Sequence, residues 1–165
     1  MTHSTMPISR RSLLIGLTAT GAAAAVGAGH AVAAPAKRSL TAAERRLTMH
    51  RSAGCGCCVK WAEAAQKAGF TVTTVNEPDL MAFKREAGVP DSLTSCHTTI
   101  AGPYVVEGHV PLDAIRKLLT DRPKVRGIGV AGMPIGSPGM EVPGVPPEPF
   151  KIYAFDSAGK LSFFS

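Results

Sequence analysis

The chain has 165 residues, enough for one domain with a hydrophobic core and too few for two of comparable size. Its 45% hydrophobic and 18% charged residues exclude a disordered chain. The formal charge of +6 comes from scattered basic residues, as in Arg45-Arg46, Lys84-Arg85 and Arg116-Lys117. They lack the aromatic interleaving of a single-strand nucleic-acid surface, so no nucleic-acid partner is expected.

Residues 1–33 read as a twin-arginine-type signal peptide. Ser9-Arg10-Arg11-Ser12-Leu13-Leu14 opens a stretch that, after Arg11, is free of Lys, Arg, Asp and Glu as far as Ala34, and Ala31-Val32-Ala33 supplies a small-residue cleavage pattern. A retained anchor is the competing reading, since about 20 apolar residues span a bilayer. Gly16, Gly21, Gly27 and Gly29 weaken it. Cleavage near Ala33 places the mature chain in the periplasm with no stable membrane span, and leaves sixteen basic residues against twelve acidic ones.

Residues 34–44 are a polar, Ala-rich link, and 45–165 form the folded domain. Leu47 and Met49, alternating with Arg46, Thr48 and His50, predict a short strand running into a turn at Ser52-Ala53-Gly54. From Cys57 to Ala68 the pattern is helical, with Cys58, Trp61, Ala62 and Ala65 on one face and Gly69 as the stop. Phe70 to Val75 is β-compatible throughout and completes a βαβ unit. Pro78 to Ala87 is a second helix with Leu80, Met81 and Phe83 as apolar positions, closed by Gly88 and Pro90.

A loop then delivers Ser95-Cys96-His97, and Thr98 to Val106 reads as a third strand. Pro111 and Asp113 start an amphipathic helix carrying Leu112, Ile115, Leu118 and Leu119, with Pro123 beyond its end. Gly127 to Pro149 is a long Gly/Pro-rich loop containing Met133 and Met140. Phe150 to Phe155, a turn at Asp156-Ser157-Ala158-Gly159, and Leu161 to Phe164 make a C-terminal β-hairpin. The order of elements predicts an α/β fold, a single-domain sandwich of the thioredoxin-like type.

Chemistry concentrates in the cysteines. Cys55-Gly56-Cys57-Cys58 sets three thiols at a turn into a helix, where backbone N–H groups and the helix dipole favour thiolates. Two structural disulfides are allowed by the even count, but crowded cysteines staple a core poorly. A thiol-disulfide oxidoreductase is suggested by the CxxC spacing of Cys55 and Cys58, although Cys57 inside the motif would compete in exchange. Metal binding accounts for the extra cysteine, because clustered thiolates select soft ions, and a thioredoxin-like fold would bring Cys96 and His97 to the trio.

The site expected is therefore Cys55, Cys57, Cys58, Cys96 and His97. Copper(I) is favoured and zinc is the alternative, since zinc sites commonly pair two separated CxxC elements and only one compressed element is present. Met133 and Met140 are candidate further ligands, with loop packing the preferred reading. His50 and His109 read as surface or turn residues and are left out of the site.

These residues resemble domain-of-unknown-function family 411, exported bacterial proteins that include periplasmic copper-resistance proteins. The resemblance rests on Arg51-Ser52-Ala53-Gly54-Cys55-Gly56-Cys57-Cys58-x-Lys60-Trp61, Ser95-Cys96-His97-Thr98, Val106-Glu107-Gly108-His109-Val110-Pro111, and Gly132-Met133-Pro134-x-Gly136-Ser137-Pro138-Gly139-Met140. It implies a thioredoxin-like fold, copper held by Cys55, Cys57, Cys58 and Cys96, and a role in periplasmic copper handling that can include Cu(I)/Cu(II) redox chemistry. Copper-exporting or other periplasmic copper-handling proteins are the implied partners.

Overall fold

The computed structural model describes Met1 and residues 38–164. The leader expected over 1–33 and the start of the link lie, Met1 apart, outside the described residues. Strand β1 spans Arg46–Arg51, helix α1 Gly56–Lys67, β2 Thr71–Asn76 and α2 Leu80–Ala87. They are followed by β3 His97–Ala101, β4 Tyr104–Glu107, α3 Leu112–Asp121, β5 Gly127–Gly129, β6 Tyr153–Phe155 and β7 Leu161–Phe163. The seven strands form one mixed sheet in the order β2-β1-β3-β4-β5-β6-β7. The α/β class read from the sequence is thus what the chain adopts. Among the described residues no helix is long and apolar enough to cross a membrane.

Local chemistry explains the elements. The turn before β1 is closed reciprocally: the Thr41 N–H donates to Glu44 Oε2 at 2.8 Å and the Glu44 N–H donates to Thr41 Oγ1 at 3.3 Å. Leu40, just ahead, is buried in the core. Helix α2 is capped by Asp79, which accepts the Ala82 N–H at 2.9 Å, and ends on Gly88 at φ +78°. β1 and β2 pair in parallel across α1, the expected βαβ unit.

Side chains alternate across the sheet and separate two clusters. Leu47, Met49, Ala101, Val106, Ile128 and Ala154 share one cluster with Cys58 and Trp61 of α1 and with Ile115 and Leu118 of α3. Ile115 and Leu118 are fully buried, each contributing about 1.5–3 kcal/mol by leaving water. Val105, Phe155, Ile100 and Tyr153 share the other with Phe83 and Ala87 of α2.

Three expectations change. The strand read over Thr98 to Val106 is a hairpin: β3 turns at Gly102-Pro103, with Gly102 at φ +58°, and returns antiparallel as β4. Part of the Gly/Pro-rich loop is strand β5, paired in parallel with β4. Its Gly127 allows close approach, for a Cβ there would lie 2.6 Å from the Phe155 ring. On α2, Met81 is exposed and Leu80 and Phe83 are half-buried, whereas Lys84, read as one of the scattered basic residues, is buried against Glu107.

Candidate metal centre

β1 ends at Arg51, and the chain turns through Ser52-Ala53-Gly54, with Gly54 at φ +77°, into the N-cap of α1 at Cys55. Arg51 fastens the turn by donating from Nη1 to the Cys55 carbonyl at 3.0 Å. Cys58 faces the core and is fully buried, while Cys55 and Cys57 are partly exposed. This is the split expected from helical spacing. Cys55 and Cys58 are joined by a disulfide, and Cys57 and Cys96 are free.

The loop before β3 carries Cys96 to the same place. Its Sγ lies 3.6 Å from Cys57 Sγ and 3.7 Å from Cys58 Sγ, and Cys57 Sγ is 3.5 Å from Cys55 Sγ. All four sulfurs lie within 4.8 Å of one another. In a tetrahedral thiolate site with metal–sulfur bonds of about 2.3 Å, sulfurs stand roughly 3.8 Å apart. The three separations of 3.5–3.7 Å fit that requirement, whereas Cys55 and Cys58 are bonded to each other. All four could act as ligands only after the Cys55–Cys58 bond takes up two electrons and two protons.

Two imidazoles complete the surroundings. His97 Nδ1 is 3.4 Å from Cys96 Sγ, its ring packs 4.8 Å from Trp61, and its buried Nε2 has no hydrogen-bond partner among the described residues. His109, read from the sequence as a surface or turn residue, is fully buried, with Nε2 2.9 Å from Cys96 Sγ. Cys96, His97 and His109 bring a second set of donor atoms within 4.8 Å of one another. His109 Nδ1 lies 2.8 Å from the Pro138 carbonyl, which can only accept, so Nδ1 carries the proton and Nε2 presents a lone pair to the thiol.

Burial governs the protonation of the three. It pushes the Cys96 thiol up to about 12, reinforced by Cys57, so the sulfur is a donor to His109 in the metal-free state. Burial also lowers His97 to about 3, with His109 and Lys84 adding to the effect. His109 is lowered too, against the bond to Pro138 and the charge of Glu141. Both rings are neutral at pH 7, the form that ligates metal.

The omission of His109 has one cause. Read as a single strand, Thr98 to Val106 would leave His109 about 40 Å along the chain from Cys96 at roughly 3.3 Å per residue. The Gly102-Pro103 turn brings it back, and the Gly108 N–H donates to the His97 carbonyl at 2.9 Å. That Gly-Pro pair was the available clue. His50 is remote from the centre: it stacks on Phe83 at 3.8 Å, and its Nδ1 is 2.6 Å from Glu77 Oε1. Met140 is partly buried, but Met133 is 50% exposed, which the loop-packing reading does not explain.

The Gly/Pro-rich loop covers the cysteines. Gly139, at φ +83°, lies on α1 so closely that a Cβ would stand 2.6 Å from the Trp61 nitrogen and 3.0 Å from the Cys57 oxygen. Its neighbour Pro138 thereby meets His109.

Comparison with known proteins agrees with this chemistry. The family described as "Protein of unknown function, DUF411" matches residues 93–140, which include Cys96, His97 and His109. No curated protein matches. Two solved structures, titled copper resistance protein copG, form 1 and form 2, are each 40% identical to the chain, with TM-scores of 0.68 and 0.69. Each alignment covers 73% of this chain, and they cover 94% and 95% of the respective structures. The chain therefore belongs to the DUF411 family, is a homologue of structures titled as copper resistance proteins, and carries a cysteine cluster that could hold metal.

Proposed function

We propose that this protein handles copper(I) in the periplasm, sequestering or relaying it on Cys55, Cys57, Cys58 and Cys96. The observation that carries the reading is the convergence of these four sulfurs, from two separate loops, within 4.8 Å of one another. Thiolates favour soft ions over hard ones, and the compressed CxCC element favours copper(I) over zinc. The copper-resistance titles of the similar structures support the same metal. His97 and His109 supply neutral nitrogens at the Cys96 edge. Loading releases the thiol protons, because sulfur binds the metal as thiolate.

The twin-arginine-type leader supports export of a folded protein to the periplasm. The order β2-β1-β3-β4, with β3 antiparallel to both neighbours, supports the thioredoxin-like reading. Anaerobic copper(I) titration of the reduced chain tests the proposal. The wild type binds, and a Cys57→Ser, Cys96→Ser double variant loses most of that binding. Equal binding by the two would refute it.

One observation favours a second reading, a thiol-disulfide oxidoreductase: Cys55 and Cys58 are the pair already joined. A partner thiolate would attack one sulfur of that bond, forming a mixed disulfide and releasing the other cysteine as thiolate, and a second partner thiolate would then attack the partner's sulfur and release the remaining protein thiolate. The partner leaves as a disulfide and the protein as a dithiol. Metal-free protein turning over a dithiol substrate, with loss in Cys55→Ser and Cys58→Ser, is the outcome this reading requires.

A further inference from the structure

A buried ion pair lies behind the centre, on the α2 side of the sheet. Lys84 is 2% exposed and Glu107 0%. Lys84 Nζ donates to Glu107 Oε1 at 2.5 Å and to Thr98 Oγ1 at 2.9 Å. The Thr98 hydroxyl donates to Glu107 Oε2 at 2.6 Å, and the Ser95 N–H donates to Oε1 at 2.7 Å. One carboxylate thus grips the residues on both sides of Cys96-His97. Ser95 is held a second time through its hydroxyl, which donates to the Gly132 carbonyl at 2.5 Å.

Such a pair is a poor device for stability alone, because desolvating both charges offsets most of their attraction. What an apolar pair could not replace is the acceptor for the Ser95 N–H and the Thr98 hydroxyl, which would be left unsatisfied. Glu107 is also the last residue of β4, two before His109. Its position therefore ties the loop bearing Cys96 to the strand end bearing His109.

We infer that Glu107, paired with Lys84, is a positioning residue of the metal centre, acting through Ser95 and Thr98 to set Cys96 against Cys57, Cys58 and His109. The copper arm of its test rests on the copper(I) reading above, and a metal-free arm does not. In the first, copper(I) affinity of the reduced full chain is measured by competition with bathocuproine disulfonate for Glu107→Gln and Lys84→Met, each with and without Cys96→Ser. Supporting partners of a metal site are worth about 10–100-fold in affinity. A loss of that size is expected when Cys96 is present, and less than about twofold when it is absent, since the effect passes through that thiol.

Equal losses in both backgrounds, or no loss, would overturn the inference. In the second arm the reduced, metal-free chain is treated with iodoacetamide and modification of Cys96 is followed by peptide mass spectrometry. Releasing the loop is expected to speed it about tenfold in Glu107→Gln, as local opening exposes the thiol. An unchanged rate also overturns the inference. Should the wild type bind no copper(I), the copper reading falls while this arm still decides the positioning role. Should Glu107→Gln fail to fold, Thr98→Val, which removes only one hydroxyl of the network, takes its place with the same expected directions.

Discussion

The Cys96 sulfur stands 2.9 Å from Nε2 of His109, a nitrogen left bare because the other ring nitrogen is committed to the Pro138 carbonyl. A thiol raised to about 12 thus has a neutral acceptor in place before any metal arrives. His109→Ala removes both the acceptor and a candidate donor, and copper(I) affinity should fall about tenfold or more. His50→Ala, on the opposite side of the sheet, should stay within about twofold of wild type, since its ring meets Phe83 and Glu77 and, among the described residues, none of the thiols. Competition with a chromophoric copper(I) chelator measures both. Equal effects would detach His109 from the centre.

The redox state of the four sulfurs gives a second expectation. With Cys55–Cys58 bonded and Cys57 and Cys96 free, denatured protein isolated without reductant should titrate as two thiols per chain. After reduction and removal of the reductant it should titrate as four, since both bonded sulfurs then count. Copper(I) capacity should rise in parallel, because bonded sulfurs are not thiolates. Thiol titration beside metal analysis reads both, and full copper loading of the two-thiol form would contradict the four-sulfur site.

Much of this centre was legible in the sequence, and the reason lies in periodicity. Cys58, Trp61, Ala62 and Ala65 declare the buried face of α1 at spacings of three and four, so the trio's position at a helix start needs no tertiary information. Cys96 was tied to the trio only by assuming a fold. His109 and β5 were missed because their placement is tertiary. Thr98 to Ala101 and Tyr104 to Val106 are β-compatible on either side of the Gly102-Pro103 break, which alone marked the turn, and a three-residue strand with two glycines carries no period. Lys84 was misread for a related reason. A lysine is buried only when a partner waits for it, and Glu107 is 23 residues away.

An acid-limb prediction comes from Glu44. The Arg38 guanidinium, then the Thr41 N–H, hold its carboxyl well below the ordinary value of 4.5, with burial opposing and Arg122 and the Thr41 hydroxyl assisting. A depressed folded-state value means the unfolded chain takes up the proton first as pH falls. The stabilisation is therefore full above the unfolded value and is lost on descending through the folded one. Glu44→Gln should melt below wild type at neutral pH, with the gap narrowing progressively as the pH falls below about 5. Melting curves of the metal-free chain check this, and a gap independent of pH would assign the effect to geometry alone.

Gly139 tests whether the Gly/Pro-rich loop is part of the centre or only its cover. Gly139 and Gly144 both have left-handed backbones, at φ +83° and +77°, so alanine at either carries the same conformational penalty of roughly 1–2 kcal/mol. Around Gly144 a Cβ meets nothing within 4 Å, whereas at Gly139 it meets the backbone of Cys57 and Trp61. Gly139→Ala should therefore cost about 1–3 kcal/mol more than Gly144→Ala, the range for forcing extra atoms into a packed site. Helix α1 is fixed by its own hydrogen bonds and the core, so the loop gives way and carries the Pro138 carbonyl off His109. Nitrogen NMR of the imidazole should then show the Nδ1–H form losing its dominance in Gly139→Ala and keeping it in Gly144→Ala. Copper(I) affinity should fall with it. If affinity holds while the tautomer shifts, the loop orients His109 but the thiols hold the metal without it.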